Sequence, residues 1–433
     1  KNGFVMERYI NPEKNTWKSL TQRASASYDS LEPLAKAIFN KIEKDGDLAI
    51  KGYTLEFDKV QLESNLVSPD EISNAAQRVP ENLKIAIQKA KNNIELFHQA
   101  QATETVQVET QPGVTCWQKK LPIEKVGLYI PAGSAPLFST VLMLAIPARI
   151  AGCNEIVLCS PPSIKGVLSD VILYAANLCG VDYIFKVGGM QAIAGMTLGT
   201  ESIPKVDKIF GPGNQFVTVA KQLATKYQVA IDMPAGPSEL MVVADQTGNP
   251  DFIASDLLSQ AEHGPDSQVI LVTNNIIIAD ATFEKVSKQL ENLERKVTAQ
   301  KALNYSTVIF FDNDKDMLEF VNLYGAEHLI VCLDNESEFV DKIKHAGSVF
   351  IGNYTPESAG DYASGTNHTL PTNGYVRQYS GVNLDSFLKA ITYQKITANG
   401  LVDLGPVIEL MASAEGLQAH KNAVSIRLKT LKS

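Results

Sequence analysis

The sequence predicts an α/β fold in which two parallel sheets are each covered by helices. From Lys125 onward, short β-branched runs alternate with helical runs, and the strand-like runs read KVGLYI, EIVLC, DYIFKV, DKIF and VAID. After residues 233–237 a second alternating series begins, with strand-like runs ELMVVAD, QVILVT, VIFF, HLIVCL and SVFIG. Such alternation indicates βαβ units, because parallel strands need helical crossovers between them. A chain of 433 residues is also long enough to divide into two or more domains.

The first hundred residues are predicted to be helical. Apolar positions recur at helical spacing in LEPLAKAIFNKIEK, and another helix is expected from about Pro80 to Gln101. Between these two, residues 68–71 (SPDE) have the form of a capping box with proline at the first helical position. These patterns predict three helices ahead of the first sheet.

Three further segments lie outside the alternating series. The β-rich runs TVQVET and VTCWQKK flank the turn signal Gln111-Pro112-Gly113 and predict a hairpin. Residues 353–383 are rich in glycine and proline, and a stretch of this length in a compact domain indicates a functional loop. The last residues, from Pro406 onward, have helical spacing.

The composition argues against several classes of protein. The chain carries 39 Lys and Arg against 48 Asp and Glu, a net charge of -9, and has no basic stripe that could bind nucleic acid. Its longest apolar stretches, such as VLMLAIPA, are far shorter than the ~20 residues needed to span a membrane. The first residues, KNGFVMERYINPEK, contain no apolar stretch of signal-peptide length, so we expect a cytoplasmic location.

The cysteines do not form a recognisable framework. They are odd in number and include no C-x-x-C pair: Cys116, Cys153, Cys159, Cys179 and Cys332. This pattern argues against both a disulfide scaffold and a thiolate zinc site. We expect buried thiols.

Three loops of the first series are rich in small residues, and they read PAGSAPLFS, GGMQAIAG and GPGNQ. In open parallel sheets, ligands bind in the crevice at the carboxyl ends of the strands. Small residues there let a ligand approach backbone N–H groups at the start of a helix. These loops are therefore candidate ligand contacts.

Four of the six histidines lie in polar, glycine-containing contexts of the second half: His263, His328, His368 and His420. In DLLSQAEHGPDSQ, Gln260 and His263 are three residues apart near a helix end, so both could hold one ion. The alternative is a histidine that caps the helix carbonyls ahead of a Gly-Pro stop.

The peptide YGAEHLIV places Glu327 beside His328 at the entry to a strand. Adjacent strand residues point to opposite faces, so both reach one cleft only if the backbone is still turning at Gly325. A general base and a proton carrier would then adjoin. A solvated Glu-His pair at a strand edge is the alternative.

Two further pairs carry polar groups that could bind a ligand. Asp361 and His368 lie among Gly, Ser and Thr in the long loop, although a loop aspartate often only caps a turn. Glu415 and His420 are about 140° apart around a helix, so they need not share a target, and surface exposure is the alternative.

A site made of His263, His420, Gln260 and Asp361 would supply two nitrogens and two oxygens with a single negative charge. That set suits zinc, and manganese or cobalt would also fit. The residual positive charge would favour a lower pKa of a bound alcohol or water.

Over nearly its whole length the chain resembles the histidinol dehydrogenase family. The segments that carry the resemblance occur in the order of the family: VGLYIPAGSAPLFSTVLM, KIFGPGNQFVTVAK, IDMPAGPSELMVVAD, DLLSQAEHGPDSQ, GAEHL, PESAGDYASGTNHTLPT and EGLQAHKNAV. The resemblance implies oxidation of L-histidinol through L-histidinal to L-histidine in two NAD-dependent steps, the last reactions of histidine biosynthesis.

The resemblance also implies an aldehyde-dehydrogenase-like arrangement of two Rossmann-like parallel-sheet domains with small helical segments at both ends. The expected parts are an N-terminal helical segment, a first domain with the metal and catalytic residues, a second domain on the nucleotide side, and a C-terminal segment that reaches a partner subunit. Their predicted boundaries are, in that order, 1–25, 26–128 with 238–381, 129–237, and 382–433.

The resemblance assigns roles to individual positions. One zinc ion per subunit would be held by Gln260, His263, Asp361 and His420. The substrate would contact these four ligands together with Ser238, His328, His368 and Glu415. NAD would lie along Tyr129, Gln191 and Asn214. Because the family's C-terminal segment enters the neighbouring subunit, Glu415 and His420 would complete a shared site in a homodimer.

The implied mechanism uses the adjacent pair as proton carriers. His328 would take the hydroxyl proton of the substrate, and Glu327 would activate water for oxidation of the bound aldehyde. NAD rests on the resemblance alone, because the sequence has no G-x-G-x-x-G followed by a ribose-binding acid.

Two other functions remain open at this stage. A cysteine enzyme would attack the aldehyde with Cys116 or Cys153, but Cys116 lies in the predicted hairpin, and Cys153 has no His or Lys within five residues that could lower the pKa of its thiol. A metal-containing binding protein without catalysis is the second alternative. The adjacent Glu327 and His328 argue against it, because a binder has no evident need for such a pair.

Overall fold

The computed structural model describes residues 6–23, 28–132 and 135–432. The chain divides into two compact units, of which unit 1 contains Lys1–Gln101 and Ile123–Phe387. Unit 2 contains Ala102–Pro122 and Leu388–Ser433.

The strands of the described residues are, in chain order, β1 (Glu7–Ile10), β2 (Val106–Gln111), β3 (Val114–Pro122), β4 (Lys125–Tyr129), β5 (Glu155–Ser160), β6 (Tyr183–Lys186), β7 (Lys208–Phe210), β8 (Ala230–Ile231), β9 (Glu239–Ala244), β10 (Gln268–Thr273), β11 (Thr307–Phe310), β12 (Ala326–Cys332), β13 (Ala346–Ile351) and β14 (Leu388–Ile396).

The α-helices are α1 (Trp17–Leu20), α2 (Glu32–Asp58), α3 (Pro69–Arg78), α4 (Glu81–Gln99), α5 (Phe138–Ala151), α6 (Asp170–Leu178), α7 (Gly189–Leu198), α8 (Gln215–Ala224), α9 (Pro250–Ala261), α10 (Ile276–Leu290), α11 (Lys296–Leu303), α12 (Asp314–Tyr324), α13 (Glu336–Val340), α14 (Glu357–Tyr362), α15 (Ala398–Ala414) and α16 (Gln418–Lys432). Short 3₁₀ turns cover Lys14–Thr16, Asp29–Leu31, Thr225–Tyr227, Tyr375–Arg377 and Leu384–Phe387.

The predicted α/β fold with two parallel sheets is confirmed. The first alternating series forms a five-stranded sheet in the order β6-β5-β4-β7-β8, and every pairing in it is parallel. The second series forms a six-stranded parallel sheet in the order β1-β11-β10-β9-β12-β13. In the six-stranded sheet the central strands β9, β10 and β12 are buried along their whole length, as expected for a sheet covered on both faces.

The N-terminal segment, predicted to be helical over residues 1–25, supplies an edge strand as well as a short helix. Strand β1 pairs with β11, with Glu7 opposite Thr307, and α1 follows it. The peptide ERYI is short and mostly exposed, so its sequence carries no strong strand pattern. Residues 1–5 and 24–25 of this predicted segment lie outside the described residues.

The three predicted helices of the first hundred residues are confirmed as α2, α3 and α4. The capping box of α3 is formed, because Ser68 accepts a hydrogen bond from the Glu71 amide at 3.2 Å and Glu71 accepts one from Ser68 at 2.9 Å. Helix α2 bends at Gly46, whose φ of 50° lies in the left-handed region.

These helices pack against the five-stranded sheet. Buried residues of α2, such as Ile38, share a core with Phe185 of β6, and Ile94 of α4 shares a core with Leu128 of β4. The helices lie within residues 26–128, which are predicted to form one domain with residues 238–381. That grouping and the other domain boundaries stay predictions.

Unit 2 consists of a three-stranded antiparallel sheet and two helices. The predicted hairpin is confirmed as β2 and β3, and β14 adds a third strand beside β3. Trp117 and Tyr393 face each other in this pairing, with ring centroids 5.3 Å apart. The predicted C-terminal helix is present as α15 and α16, which pack closely where Gly405 meets Leu428.

Among the described residues, no helix combines the length and the apolar character that crossing a membrane requires.

Candidate active site

Several of the polar residues singled out above lie at the amino ends of two central strands of unit 1. Strands β9 and β12 are parallel neighbours, with His328 opposite Leu240. Ser238 and Glu239 stand at the start of β9, while Glu327 and His328 stand at the start of β12. The candidate site therefore lies at the amino edge of the six-stranded sheet.

A left-handed turn brings Glu327 and His328 together. Gly325 ends α12 with φ 63° and ψ 71°, and a β-carbon there would lie 2.8 Å from Val376. Strand β12 begins at the next residue. Oε2 of Glu327 lies 3.6 Å from Nδ1 of His328, so the two side chains adjoin.

Glu327 is a buried carboxyl group. It is 6% exposed, and its Oε2 accepts a hydrogen bond from the backbone N–H of Glu239 at 2.9 Å. Burial raises the pKa of Glu327 to about 8, because the charged form loses its hydration. The group can therefore gain and release a proton near neutral pH.

His328 has one nitrogen fixed by the backbone and one free of hydrogen bonds. Nδ1 lies 3.2 Å from the carbonyl oxygen of Glu239, which it can contact as a donor. Nε2 is buried without a hydrogen-bond partner and lies 3.6 Å from Oδ1 of Asp361. A donor at Nδ1 leaves Nε2 as the basic nitrogen.

The pKa of His328 reflects opposing influences. Burial lowers it, but the carboxyl groups of Glu327, Glu357 and Asp361 outweigh burial and raise the pKa to about 10. A cation bound beside these three carboxyl groups would favour their ionised forms.

Asp361 and His368 come together through the loop after β13. Asp361 lies in α14, and Nδ1 of His368 is 2.8 Å from the Asp361 carbonyl oxygen. Nε2 of His368 is 3.1 Å from Oγ1 of Thr140 in α5. Both nitrogens of His368 are thus engaged, and burial lowers its pKa.

Gln260 and His263 lie at the end of α9, and the two side chains touch. Nε2 of Gln260 is 2.8 Å from Nδ1 of His263. Oε1 of Gln260 is buried and has no hydrogen-bond partner. An acceptor oxygen without a donor is costly to bury unless a cation or another donor contacts it.

Glu357 is a site residue that the sequence analysis missed. Its side chain is 1% exposed, its Oε2 accepts a hydrogen bond from Ser259 at 3.0 Å, and its Oε1 lies 3.8 Å from Nδ1 of His328. Ligand atoms of His328, Glu357 and Asp361 all lie within 4.8 Å of one another. The available signal was the spacing: Glu357 and Asp361 are four residues apart and share a helix face.

The site fits a divalent cation. Buried acceptor atoms without a hydrogen-bond partner occur on three of its residues: Gln260 Oε1, His328 Nε2 and Glu357 Oε1. Carboxylate and imidazole groups are suitable ligands for zinc, manganese and cobalt. Of the predicted ligand set, unit 1 contains Gln260, His263 and Asp361.

A cavity of about 470 Å³ opens beside this cluster. Ser238 and His263 line one part of it, and Gly213 and Asn214 from the loop after β7 line another. The cavity therefore lies between the amino edge of the six-stranded sheet and the carboxyl edge of the five-stranded sheet. Its volume is within the range of small-molecule sites.

The three predicted nucleotide contacts differ in accessibility. Tyr129 and Gln191 are 5% and 1% exposed, and the Tyr129 hydroxyl accepts a hydrogen bond from the Gly189 amide at 3.1 Å. Asn214 is exposed at the start of α8, where its side chain accepts hydrogen bonds from Phe216 and Val217. Of the three, Asn214 alone is among the residues that line the described cavity.

Glu415 and His420 belong to unit 2. Glu415 ends α15, His420 lies in the first turn of α16, and both are exposed. Their exposed side chains are available to a ligand or to another protein chain.

Of the two candidate nucleophilic cysteines, Cys153 is poorly placed for attack on an aldehyde. Cys116 lies in β3 of unit 2, and Cys153 is 2% exposed behind α5. Burial raises the pKa of the Cys153 thiol to about 11, so the reactive thiolate is disfavoured.

Comparison with known proteins gives a single answer. The family described as histidinol dehydrogenase matches residues 21–428. The histidinol dehydrogenase of Bacteroides thetaiotaomicron is 55% identical over 428 residues, covering 99% of this chain and 100% of that protein. That of Aliivibrio fischeri is 54% identical over 397 residues, covering 91% of this chain and 90% of that protein.

A solved structure agrees with these relatives. The crystal structure of histidinol dehydrogenase from Elizabethkingia anophelis matches with a TM-score of 0.98 and 55% identity, covering 99% of both chains. The agreement in sequence and in fold extends through the segments that carry Glu327, His328 and Asp361. This chain belongs to the histidinol dehydrogenase family.

Proposed function

We propose that this chain is a zinc-dependent dehydrogenase that oxidises L-histidinol through L-histidinal to L-histidine with two NAD, as the final steps of L-histidine biosynthesis. The observation that carries the proposal is the buried pair of Glu327 and His328, with His328 Nε2 3.6 Å from Asp361. Family membership supports the substrate and the reaction.

One zinc ion would be held by Gln260, His263 and Asp361, with His420 of the partner subunit as the fourth ligand. This set is preferred over the cluster of His328, Glu357 and Asp361 because it includes His263, which lines the cavity, whereas none of the three residues of that cluster does. A ligand set at the cavity leaves the ion accessible to substrate. When bound, zinc would supply positive charge that orients the substrate and lowers the pKa of its polar groups.

His328 would accept the hydroxyl proton of the alcohol, because the positive charge of zinc bound at Asp361 would lower the pKa that the neighbouring carboxyl groups raise. Its Nδ1 is committed to the Glu239 carbonyl oxygen, so Nε2 is the nitrogen that can accept a proton. Nε2 also has no competing hydrogen bond among the described residues. Removal of the proton makes hydride loss from the carbinol carbon favourable.

Glu327 would act in the second oxidation, when the aldehyde must gain an oxygen from water. A carboxyl group with its pKa raised to about 8 is a stronger base than an ordinary glutamate once ionised. Glu327 would take a proton from water as the water adds to the aldehyde carbon. The hydrate anion left by this proton transfer then loses its hydride, which NAD would accept, and becomes the carboxylic acid.

Four other residues would position the substrate. Ser238 lines the same cavity as His263, and His368 holds the backbone of Asp361. Glu415 and His420 would act across a subunit boundary. Correct placement of the carbinol carbon supplies much of the rate enhancement in such reactions.

NAD would enter from the carboxyl edge of the five-stranded sheet. Asn214 lines the cavity and begins α8, where backbone N–H groups are suited to contact phosphate. Tyr129 and Gln191 lie behind this edge and would contact the nucleotide after local rearrangement. When bound, NAD would accept the hydride of each step.

A homodimer with shared active sites would explain the character of unit 2. Large apolar side chains of α15 and α16 are exposed, including Leu410 at 73%, Met411 at 62% and Ile426 at 63%. Apolar patches of this kind mark protein interfaces.

A cytoplasmic location is supported by the free cysteines, because reducing compartments preserve thiols.

The test is NADH formation by the purified protein with L-histidinol, with zinc measured in the same sample. We expect two NADH per histidinol, loss of activity with a chelator, and recovery when zinc is added. Histidinol binding without NADH formation by the zinc-loaded protein would contradict the proposal and favour a metal-containing binding protein.

A further inference from the structure

Glu239 makes backbone contacts to both members of the proposed catalytic pair. Its N–H group donates to Oε2 of Glu327 at 2.9 Å, and its carbonyl oxygen lies 3.2 Å from Nδ1 of His328. One peptide segment at the start of β9 therefore fixes the carboxyl group and the tautomer of the imidazole together.

The side chain of Glu239 is anchored by a buried ion pair. Arg23 contacts Oε2 of Glu239 through Nε at 3.0 Å and through Nη2 at 2.6 Å. The Asn373 amide donates to the other oxygen, Oε1. The side chains of Arg23 and Glu239 are 11% and 1% exposed, so the pair is shielded from water.

Arg23 also holds the turn that precedes the catalytic pair. Its Nη2 donates to the carbonyl oxygens of Tyr324 at 2.8 Å and Gly325 at 3.2 Å. Its guanidinium carbon lies 3.7 Å from the centre of the Tyr324 ring. A single guanidinium group thus connects the turn before β12 with the anchor of β9.

Stability does not explain this arrangement well. A buried ion pair is often no more stabilising than apolar side chains of similar volume, because both charges lose their hydration. Such a pair is better suited to fixing geometry, because the planar guanidinium group of arginine donates hydrogen bonds in fixed directions and so orients the groups that it contacts. The groups oriented here are the two segments that hold Glu327 and His328.

We propose that Arg23 and Glu239 are positioning residues for the dehydrogenase reaction, and that they hold Glu327 and His328 in register by clamping the starts of β9 and β12. This inference rests on the proposed function. Neither side chain touches the reacting atoms. Their effect passes through the two backbone contacts of Glu239 and through the turn at Gly325.

The test is the double variant Arg23→Met/Glu239→Gln in the zinc-loaded protein. It removes both charges together, and Gln can still accept the hydrogen bond from Asn373. We expect kcat for histidinol oxidation to fall about 10- to 100-fold, the effect typical of residues that orient a catalytic group. KM should change less than about threefold, because the cavity residues are untouched.

A matched control removes another shielded ion pair. Lys186 and Glu71 lie 3.1 Å apart with side chains 10% and 29% exposed, and they contact neither β9 nor β12. The double variant Lys186→Met/Glu71→Gln should keep the kcat of the wild type. An equal fall of kcat in both double variants would overturn the proposal.

A second readout does not depend on activity. Nitrogen NMR of histidine-labelled, zinc-loaded protein, taken above the pKa of His328 and with His328→Asn to identify the signal, should show the neutral imidazole protonated at Nδ1 in the wild type. The double variant should show a mixture of tautomers. An unchanged His328 signal together with wild-type kcat would overturn the positioning role.

Two results separate this inference from the proposed function. A wild-type protein that forms no NADH contradicts the function, whereas an active wild type with an equally active double variant contradicts the positioning role alone. If the double variant does not fold, the single variant Arg23→Lys tests the positioning role instead, because lysine keeps the positive charge but lacks the planar guanidinium group. Its kcat should fall at least about threefold, and a wild-type kcat would overturn the proposal.

Discussion

Oε2 of Glu327 lies 3.6 Å from Nδ1 of His328, although the two residues are neighbours in sequence at the start of a strand. Neighbours in a regular strand point to opposite faces. The left-handed turn at Gly325 precedes this pair, and the Glu239 backbone contacts both side chains. The carboxyl group of Glu327 and the imidazole of His328 are therefore neighbours, and each is held by one contact to the Glu239 backbone.

Replacement of Glu327 should separate the two oxidations. In Glu327→Gln we expect oxidation of the aldehyde to slow by about 10²- to 10⁴-fold, the usual contribution of a general base. Oxidation of the alcohol should change much less, because His328 takes that proton. Rates of NADH formation starting from histidinol and from histidinal measure the two steps separately.

The control for this prediction is Glu338→Gln, which changes an exposed carboxyl group on α13. Both of its rates should match the wild type. Equal losses in the two steps of Glu327→Gln would contradict the role given to Glu327.

Metal content should distinguish the two candidate ligand sets. His263→Asn and His420→Asn should each weaken zinc binding at least about tenfold, because each removes a proposed ligand. Glu357→Gln should retain zinc, because Glu357 is not one of the proposed ligands and its carboxyl group contacts His328 and Ser259. Elemental analysis after dialysis measures the zinc of each variant.

The opposite pattern would contradict this assignment. Loss of zinc in Glu357→Gln with full zinc in His263→Asn would place the ion in the cluster of His328, Glu357 and Asp361. Activity alone does not distinguish the two sets, since either variant alters the surroundings of His328.

The two sheets could be predicted from sequence because their strands are buried on both faces and therefore read as continuous apolar runs. Strand β1 could not, because ERYI is short and exposed and pairs with β11, a partner 300 residues later at Glu7 and Thr307. Strand β14 could not be predicted for the same reason, because it forms by pairing with β3 and the sequence of residues 388–396 alone does not specify that partner.

The candidate site was predictable where chemistry is concentrated in short motifs. Glu327, His328, Asp361 and His263 are such cases. Glu357 was missed because the prediction considered its segment as an irregular loop, whereas α14 gives it helical spacing from Asp361. The Arg23 anchor could not be inferred, because its contacts to Glu239 and Gly325 join residues more than 200 positions apart.

Loss of the candidate cysteine nucleophiles should leave catalysis intact. The double variant Cys116→Ser/Cys153→Ser should oxidise histidinal at nearly the wild-type rate, because burial keeps Cys153 as a thiol. The measurement is the second-step rate with histidinal as the starting substrate. A rate reduced by orders of magnitude in a folded, zinc-loaded variant would restore the cysteine mechanism.

Asp58, near the end of α2, should make stability depend on pH. Burial raises its pKa from 3.8 to about 6, and its Oδ2 has no hydrogen-bond partner. The unfolded chain ionises near the lower value, so the favourable contribution of protonated Asp58 is complete below about pH 4 and is lost as pH rises through 6. Above pH 6 the folded protein carries an ionised, poorly hydrated carboxylate.

Asp58→Asn removes that ionised group. We expect the variant to gain about 1 kcal/mol of unfolding free energy at pH 7.5, a value reduced for the partial exposure of the side chain. The gain should disappear near pH 4. Urea unfolding at the two pH values measures it, and Glu56→Gln, an exposed change on the same helix, should show no such gain.

The proposed homodimer, in which the partner subunit supplies a zinc ligand, predicts that metal content depends on association of subunits. Leu410 is 73% exposed on α15, and burial of a leucine in an interface contributes about 1.5–3 kcal/mol. Leu410→Asp removes this contribution and introduces a charge. We therefore expect the dissociation constant of the dimer to rise by more than about tenfold. Light scattering should show a shift toward the 47.1 kDa mass of one chain.

Zinc content should fall together with the dimer, because His420 of the partner subunit would no longer reach the ion. Ile164→Asp provides the control, since Ile164 is 79% exposed in unit 1 and carries no proposed contact. It should leave both mass and zinc unchanged. A monomeric Leu410→Asp protein with full zinc and full activity would show that each subunit completes its own site.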